Sequence, residues 1–246
     1  MTSQTRRPAS LIAIAIVIAL LIAGAFGLWY LFLRPAGPAA VGATSVPVPS
    51  LAAGASSAPL VGGIDGSWKV DTSIGSFSDF SSSFVGYRVV EQLASIGANT
   101  AVGRTPNVTG SMTVAGTQIT DATIEADLTA LQSDDQRRDG QLRQHGLETG
   151  QFPTATFKLS SPIDLGAVPT DGHEVSVTAK GQLTLHGVTK DVEIPLKAKL
   201  SGDVVAVTGS LPIAFADYGI VPPSSFVVLS IEDHGQMELQ LFFTKS

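Results

Sequence analysis

The side chains of this chain that are able to do chemistry are few and scattered. Four histidines occur, His145, His173, His186 and His234, and no two stand at a metal-ligand spacing with a carboxylate to match. Cysteine is absent, which removes disulfides, thiolate metal sites, thiol nucleophiles and a cysteine-borne lipid anchor together. No Gly-x-Ser-x-Gly elbow, Gly-x-Gly-x-x-Gly turn or His-Glu-x-x-His helix is present. The glycine-bearing run Gly97 to Thr105 comes near a phosphate loop, but its spacing is one residue too long and Arg104 stands where lysine is needed. Asn107-Val108-Thr109 matches a glycosylation acceptor, a pattern too short to weigh much.

The densest charge cluster is Asp134, Asp135, Arg137, Arg138, Asp139 and Arg143. Its bland reading is a solvated helix laced by weak local ion pairs. The sharper one gives Arg138 or Arg143 the polar end of a ligand. His186-Gly187 reads as a turn, and His145, beside Arg143, as a residue that orients the same helical segment. Nothing resembles a nucleophile paired with a base, so an enzyme built on the Arg-Asp cluster and His186 is the weakest hypothesis. No cofactor and no metal are expected.

The elements that must position these residues are clearer. From Leu11 to Leu33 no residue is charged, and Phe26, Trp29, Tyr30 and Phe32 gather near the far end. As a helix this stretch spans roughly 35 Å, enough for a hydrocarbon core of about 30 Å. Arg6 and Arg7 precede it and Arg34 follows, so the positive-inside bias predicts a cytoplasmic N-terminus, residues 1–10, and an extracytoplasmic C-terminal domain at the cell membrane. Ala23-Gly24-Ala25 offers a signal-peptide cleavage pattern, but the apolar stretch outruns the roughly 7 to 15 residues of an ordinary signal. Either way the domain is exported.

Residues 34–63 are rich in Ala, Gly, Pro and Ser, carry no acid and no base after Arg34, and read as an extended linker. The formal net charge is −6, and Arg6, Arg7 and Arg34 are the only charges before residue 65, leaving −9 on the remainder. That balance excludes a nucleic-acid surface.

Residues 64–246 read as strand after strand. Ala122, Ile124, Ala126 and Leu128 alternate with polar residues. The two-residue period returns in Val175, Val177, Ala179, Leu183 and Leu185, in Val192 to Leu200, in Val205 to Ile213, and in Met237 to Phe243. Turn residues at Asp171-Gly172, His186-Gly187, Ser201-Gly202-Asp203 and Asp217-Tyr218-Gly219 join neighbours closely enough for antiparallel pairing. One interruption is helical, with Ser133 as cap, Gln136 three residues on as in a capping box, and Leu142 and Leu147 placed to dock it. About eight one-faced strands in an all-β antiparallel domain close best into a barrel, which removes exposed edges. Such a barrel is either filled by side chains or holds one small ligand.

Ser133 to Arg143, then Phe152-Pro153-Thr154-Ala155-Thr156-Phe157, then Gly181-Gln182-Leu183-Thr184-Leu185-His186-Gly187-Val188-Thr189-Lys190, with Trp68-Lys69-Val70-Asp71 as an opening strand, resemble the YceI-like family over about residues 66 to 244. The resemblance implies an extracytoplasmic lipocalin-like barrel that encloses an isoprenoid or other amphiphilic lipid and has no known catalytic residues. The chain departs in carrying Gly140 where many relatives have histidine, in the Ser-rich stretch Ser76 to Ser83, and in the anchor and linker.

The leading expectation is therefore a membrane-anchored protein that binds a polyisoprenoid, quinone or fatty-acyl lipid. Its inward set is Phe157, Leu159, Val175, Val177, Leu183, Leu185, Ile194 and Leu196, and its polar mouth Arg138, Arg143 and His186. The alternative is a tethered cell-envelope interaction module with a solid core and no ligand.

Overall fold

The computed structural model describes residues 14–25, 38–41, 63–94, 97–170, 172–223 and 228–246. The chain divides into two compact units, Met1–Gly37 and Pro38–Ser246. In the first, residues 14–25 form a helix, α1, with exposed side chains. The 23-residue span expected over 11–33 exceeds it, since 11–13 and 26–33 lie outside the described residues; among those described, no helix is long and apolar enough to cross a membrane.

The second unit is a single antiparallel sheet built on two-residue alternation. Its strands are β1 (Gly66–Val70), β2 (Phe84–Leu93), β3 (Gly97–Thr105), β4 (Val108–Ala115), β5 (Gln118–Asp127), β6 (Gln132–Ser133), β7 (Thr154–Leu159), β8 (Ile163–Asp164), β9 (Glu174–Leu185), β10 (Val188–Ser201), β11 (Val204–Ala214), β12 (Val228–Ile231) and β13 (His234–Lys245). In the order β1-β4-β5-β7-β9-β10-β11-β13, eight of them close on themselves, because β1 pairs with both β4 and β13. Closure uses the length of β13. Its last residues bond β1 in the register Val70↔Phe243, while Gln236 to Gln240 bond β2, whose hairpin with β3 extends the wall.

The expected meander therefore holds from β5 through β11, and the first strand breaks it by sealing the gap beside β13, which an open sheet would leave as an unpaired edge. The β9–β10 junction is the tight turn read from His186-Gly187, with φ of 51° and 74° at the two residues, the left-handed pair that matches strand twist.

Inward side chains form one large core cluster that includes Trp68, Met112, Leu183, Ile194, Leu241 and Phe243. Each fully buried aliphatic or aromatic side chain contributes about 1.5–3 kcal/mol. Trp68 is wholly enclosed and its indole Nε1 donates to the Ile64 carbonyl at 2.9 Å, so the ring is buried without an orphaned donor. A second, smaller cluster lies on the outside of the wall, where Val204, Ala206 and Phe242 pack with Ile74. The Ser-rich stretch belongs to the loop that covers this outer cluster. Ser76 caps a short helical turn by accepting from the Ser78 amide, and the Ser83 hydroxyl donates to the Asp71 carbonyl at 2.8 Å and accepts from the Phe242 amide at 3.0 Å.

The helical insert is α2 (Gln136–Gln141), continued by a wider turn over Leu142–Gly146. Its cap is Asp135, whose carboxylate accepts from the amides of Arg137 and Arg138, and not Ser133 as the capping-box pattern suggested. Ser133 is drawn away because its hydroxyl donates to the buried Asp139 carboxylate at 2.6 Å. Leu147 is buried in the main core and Leu142 packs against it, which docks the insert on the barrel.

Candidate functional site

The barrel interior is not filled. Two adjoining cavities of about 150 and 110 Å³ run through it, with Val85, Ala155, Leu183 and Met237 bordering both. An apolar cavity of about 150 Å³ stays dry and accepts a small hydrocarbon molecule. Each of the two is thus large enough for part of an apolar chain, and they share the wall formed by Val85, Ala155, Leu183 and Met237.

The second cavity is hydrocarbon apart from Thr156. Phe157, Leu159, Val177, Ile194 and Leu196 line it, as the alternation of β7, β9 and β10 requires. Leu185 lines the first, and Leu183 sits at the junction. Val175 is on neither wall. It shares the inward phase near the start of β9, and although its partner Ala198 lines the second cavity, Val175 itself borders neither.

The first cavity lies under the helical insert, with Tyr87, Leu131, Leu142 and Leu147 on its wall and a small polar group at one side. There Glu91, buried on β2, accepts from Arg138 Nη2 at 2.8 Å and from Asn99 Nδ2 at 2.7 Å. Arg138 also donates through Nη1 to Asp134, one helical turn earlier. Burial alone pulls the Arg138 guanidinium downward, but the Glu91 and Asp134 carboxylates outweigh it and hold its pKa above the ordinary arginine value, so it stays charged. Burial likewise pushes the Tyr87 phenol well above its usual range and keeps it neutral.

Of the three residues expected at a polar mouth, only Arg138 borders the cavity. Arg143 instead donates to the Leu131 carbonyl at 3.1 Å and holds the insert against the strand end. His186 ties surface loops together: Nδ1 faces the Tyr218 carbonyl at 3.0 Å, Nε2 faces the Glu148 carboxylate at 3.1 Å, and the ring packs edge-on against Phe152. Its place in the β9–β10 turn aims it over the rim and away from the interior.

The residues that sequence reasoning passed over are on β2. Val85, Tyr87, Val89 and Glu91 share one phase and all face the first cavity. The available signal was Glu91 itself, a carboxylate in the apolar phase of a strand, which requires a cationic or hydrogen-bonding partner to be buried. Among the described residues, no group of three or more His, Cys, Asp or Glu side chains comes together as a metal site.

Comparison with known proteins places this geometry. The family model described as the YceI-like domain matches residues 68–243, from the buried Trp68 to the last core residue of β13. The chain belongs to the YceI-like family. Among solved structures, this YceI-like barrel is similar to a polyisoprenoid-binding domain from Saccharophagus degradans implicated in plant cell wall breakdown. The identity is 22%, the TM-score 0.56, and the match covers 73% of this chain and 98% of that one. It is also similar to BcnA of Burkholderia cenocepacia, at 18% identity and a TM-score of 0.49 over 64% of this chain and 95% of that one. A search of curated proteins returns no match. At these identities the structural likeness speaks to the fold, and the residues of the YceI-like cavity described above are this chain's own.

Proposed function

We propose that the protein is a binding protein that encloses the apolar chain of an amphiphilic lipid, a polyisoprenoid, quinone or fatty-acyl compound, inside the barrel. The observation that carries this reading is the unfilled interior, two adjoining cavities walled almost entirely by hydrocarbon. Apolar burial is the driving force, at about 0.8 kcal/mol for each methylene taken from water. The ligand's polar end belongs at the Arg138–Glu91 pair, the charged group on the cavity wall. The binding of a polyisoprenoid by the Saccharophagus relative supports the ligand class.

The domain works outside the cytoplasm, anchored at the cell membrane through the uncharged stretch 11–33. That location rests on sequence, on the stretch's length and on Arg6 and Arg7 before it. Retention of the full chain in the membrane fraction at alkaline pH, with the barrel open to added protease only from the outer side, is the expected result.

The test of the ligand is direct. The compact unit, residues 38–246, is purified, extracted with organic solvent, and the extract analysed by mass spectrometry. A stoichiometric lipid identifies the cargo; an extract that stays clean after incubation with membrane lipids refutes the reading and leaves an interaction module.

A further inference from the structure

The outer wall of the barrel carries a second polar site that the lipid cavity does not use. The register sets Arg104 of β3 and Glu238 of β13 on either side of Gly86 of β2, all three facing away from the interior. With no side chain at Gly86, the stem of Arg104 lies across it; a Cβ there would stand 2.7 Å from Arg104 Cγ. The Arg104 guanidinium reaches Glu238 at 3.4 Å and lies in the corner formed by the edge-on rings of Phe80 and Phe84, at 4.5 and 4.2 Å from their centroids. Arg88 supplies a second bond to Glu238 at 2.9 Å.

Arg104 and Glu238 are almost wholly buried, with side chains only 4% and 3% exposed, and two cations face one carboxylate. A guanidinium so desolvated needs further acceptors. Backbone supplies some of them, while the buried Arg104 Nε finds no partner among the described residues. Arg88 Nη2 donates to the Pro38 carbonyl at 2.8 Å, Arg104 Nη2 to the Ala39 carbonyl at 3.0 Å, and the Val41 amide donates to Glu238 Oε1 at 3.3 Å. The wall continues past Val41 as a groove of about 470 Å³ that includes Thr208, whose buried hydroxyl has no partner among the described residues.

We propose that this face is a peptide-backbone site, in which two arginines receive carbonyl oxygens and Glu238 receives an amide, and that residues 38–41 of this chain occupy it in cis. The linker is then latched to the barrel at Pro38–Val41. Recognition is of backbone carbonyls and one amide rather than of side chains, and it is independent of the lipid reading because the site faces the opposite side of the wall.

The absence of cysteine permits a clean test in the full chain. Ala40 is exposed, so a nitroxide attached at Ala40→Cys reports the motion of the segment. The expected result is a restricted label that becomes mobile in the Arg88→Ala background and on adding an excess of the capped peptide Pro-Ala-Ala-Val, with unchanged circular dichroism. A label that tumbles freely in the parent, or one equally restricted after Arg88→Ala and Arg88→Ala/Glu238→Gln, overturns the proposal. Should the variants fail to fold, hydrogen exchange in the unmodified chain decides. The Val41 amide exchanges at least about tenfold more slowly than an unstructured amide if the latch exists, and at the unstructured rate if it does not.

Discussion

Replacing Leu183 with tryptophan tests the cavity at its narrowest logical point. Leu183 is 2% exposed, belongs to both cavity walls, and faces Phe157 across the β7–β9 pair. In a filled core such an enlargement costs about 1–3 kcal/mol through strain. Here the indole has empty space on either side, so the expected loss of stability is under about 1 kcal/mol, because the ring recovers packing that the cavity lacks. Binding suffers far more. An indole lodged at the junction separates the two spaces, and excluding about five methylenes of a bound chain removes about 4 kcal/mol of apolar burial. That is roughly a thousandfold in affinity. The assay pairs thermal unfolding with mass spectrometry of lipid extracted from parent and variant prepared together. A folded Leu183→Trp protein that carries as much lipid as the parent refutes the assignment of the interior as the binding site.

Arg138→Met leaves Glu91 buried with Asn99 as its remaining partner, and lowers stability by about 2–3 kcal/mol in urea unfolding. Adding Glu91→Gln recovers most of it, and a double variant as unstable as the sum of the single ones would show that the pair is not coupled. His186→Asn, at a position with φ of 51° that asparagine tolerates, changes stability by no more than about 1 kcal/mol and leaves extracted lipid unchanged; loss of lipid would return His186 to the mouth. Asp127 caps the turn Leu128–Ala130, and the Thr129 hydroxyl, with lesser help from Asn107 and the Thr129 and Ala130 amides, holds its carboxyl below the usual carboxylate range. A depressed pKa means its contribution is complete above that range and is lost as pH falls through the depressed value. Asp127→Ala should therefore cost about 1 kcal/mol at neutral pH and less in strong acid, and a gap between the two urea midpoints that does not narrow would contradict this.

Alternation made most of the barrel legible. The runs read as one-faced, from Ala122–Leu128 to Met237–Phe243, are strands with that face inward, except that β5 ends at Asp127 and Leu128 opens the short helical turn that follows, its side chain still buried in the core. Seven of the eight inward residues named from the sequence border a cavity, because a strand's phase assigns all its side chains at once. Phase assigns a face but does not say which of its side chains borders empty space, so Val175 shares the inward phase and touches neither cavity. The polar residues were harder. Arg138, Arg143 and His186 all sit near turns or the insert, and only the packing of Leu142 and Leu147 into the core decides that Arg138 swings toward Glu91, some 47 positions earlier in the chain.

By itself the sequence determined that most of residues 64–246 is one-faced antiparallel strand, that tight turns at His186-Gly187 and Ser201-Gly202-Asp203 join β9 to β10 and β10 to β11, and that the domain carries an acidic balance without thiol chemistry. These follow from local rules of period and backbone preference. Asp217-Tyr218-Gly219 instead lies in a helical turn on the long path from β11 to β13. Only the tertiary structure decided that β1 seals the barrel against β13, that the interior stays open, that Glu91 meets Arg138, and that Pro38–Val41 is held by Arg88 and Arg104. The physical reason is common to all four: each depends on how much volume and charge distant segments bring to one place, and a periodic pattern carries neither quantity.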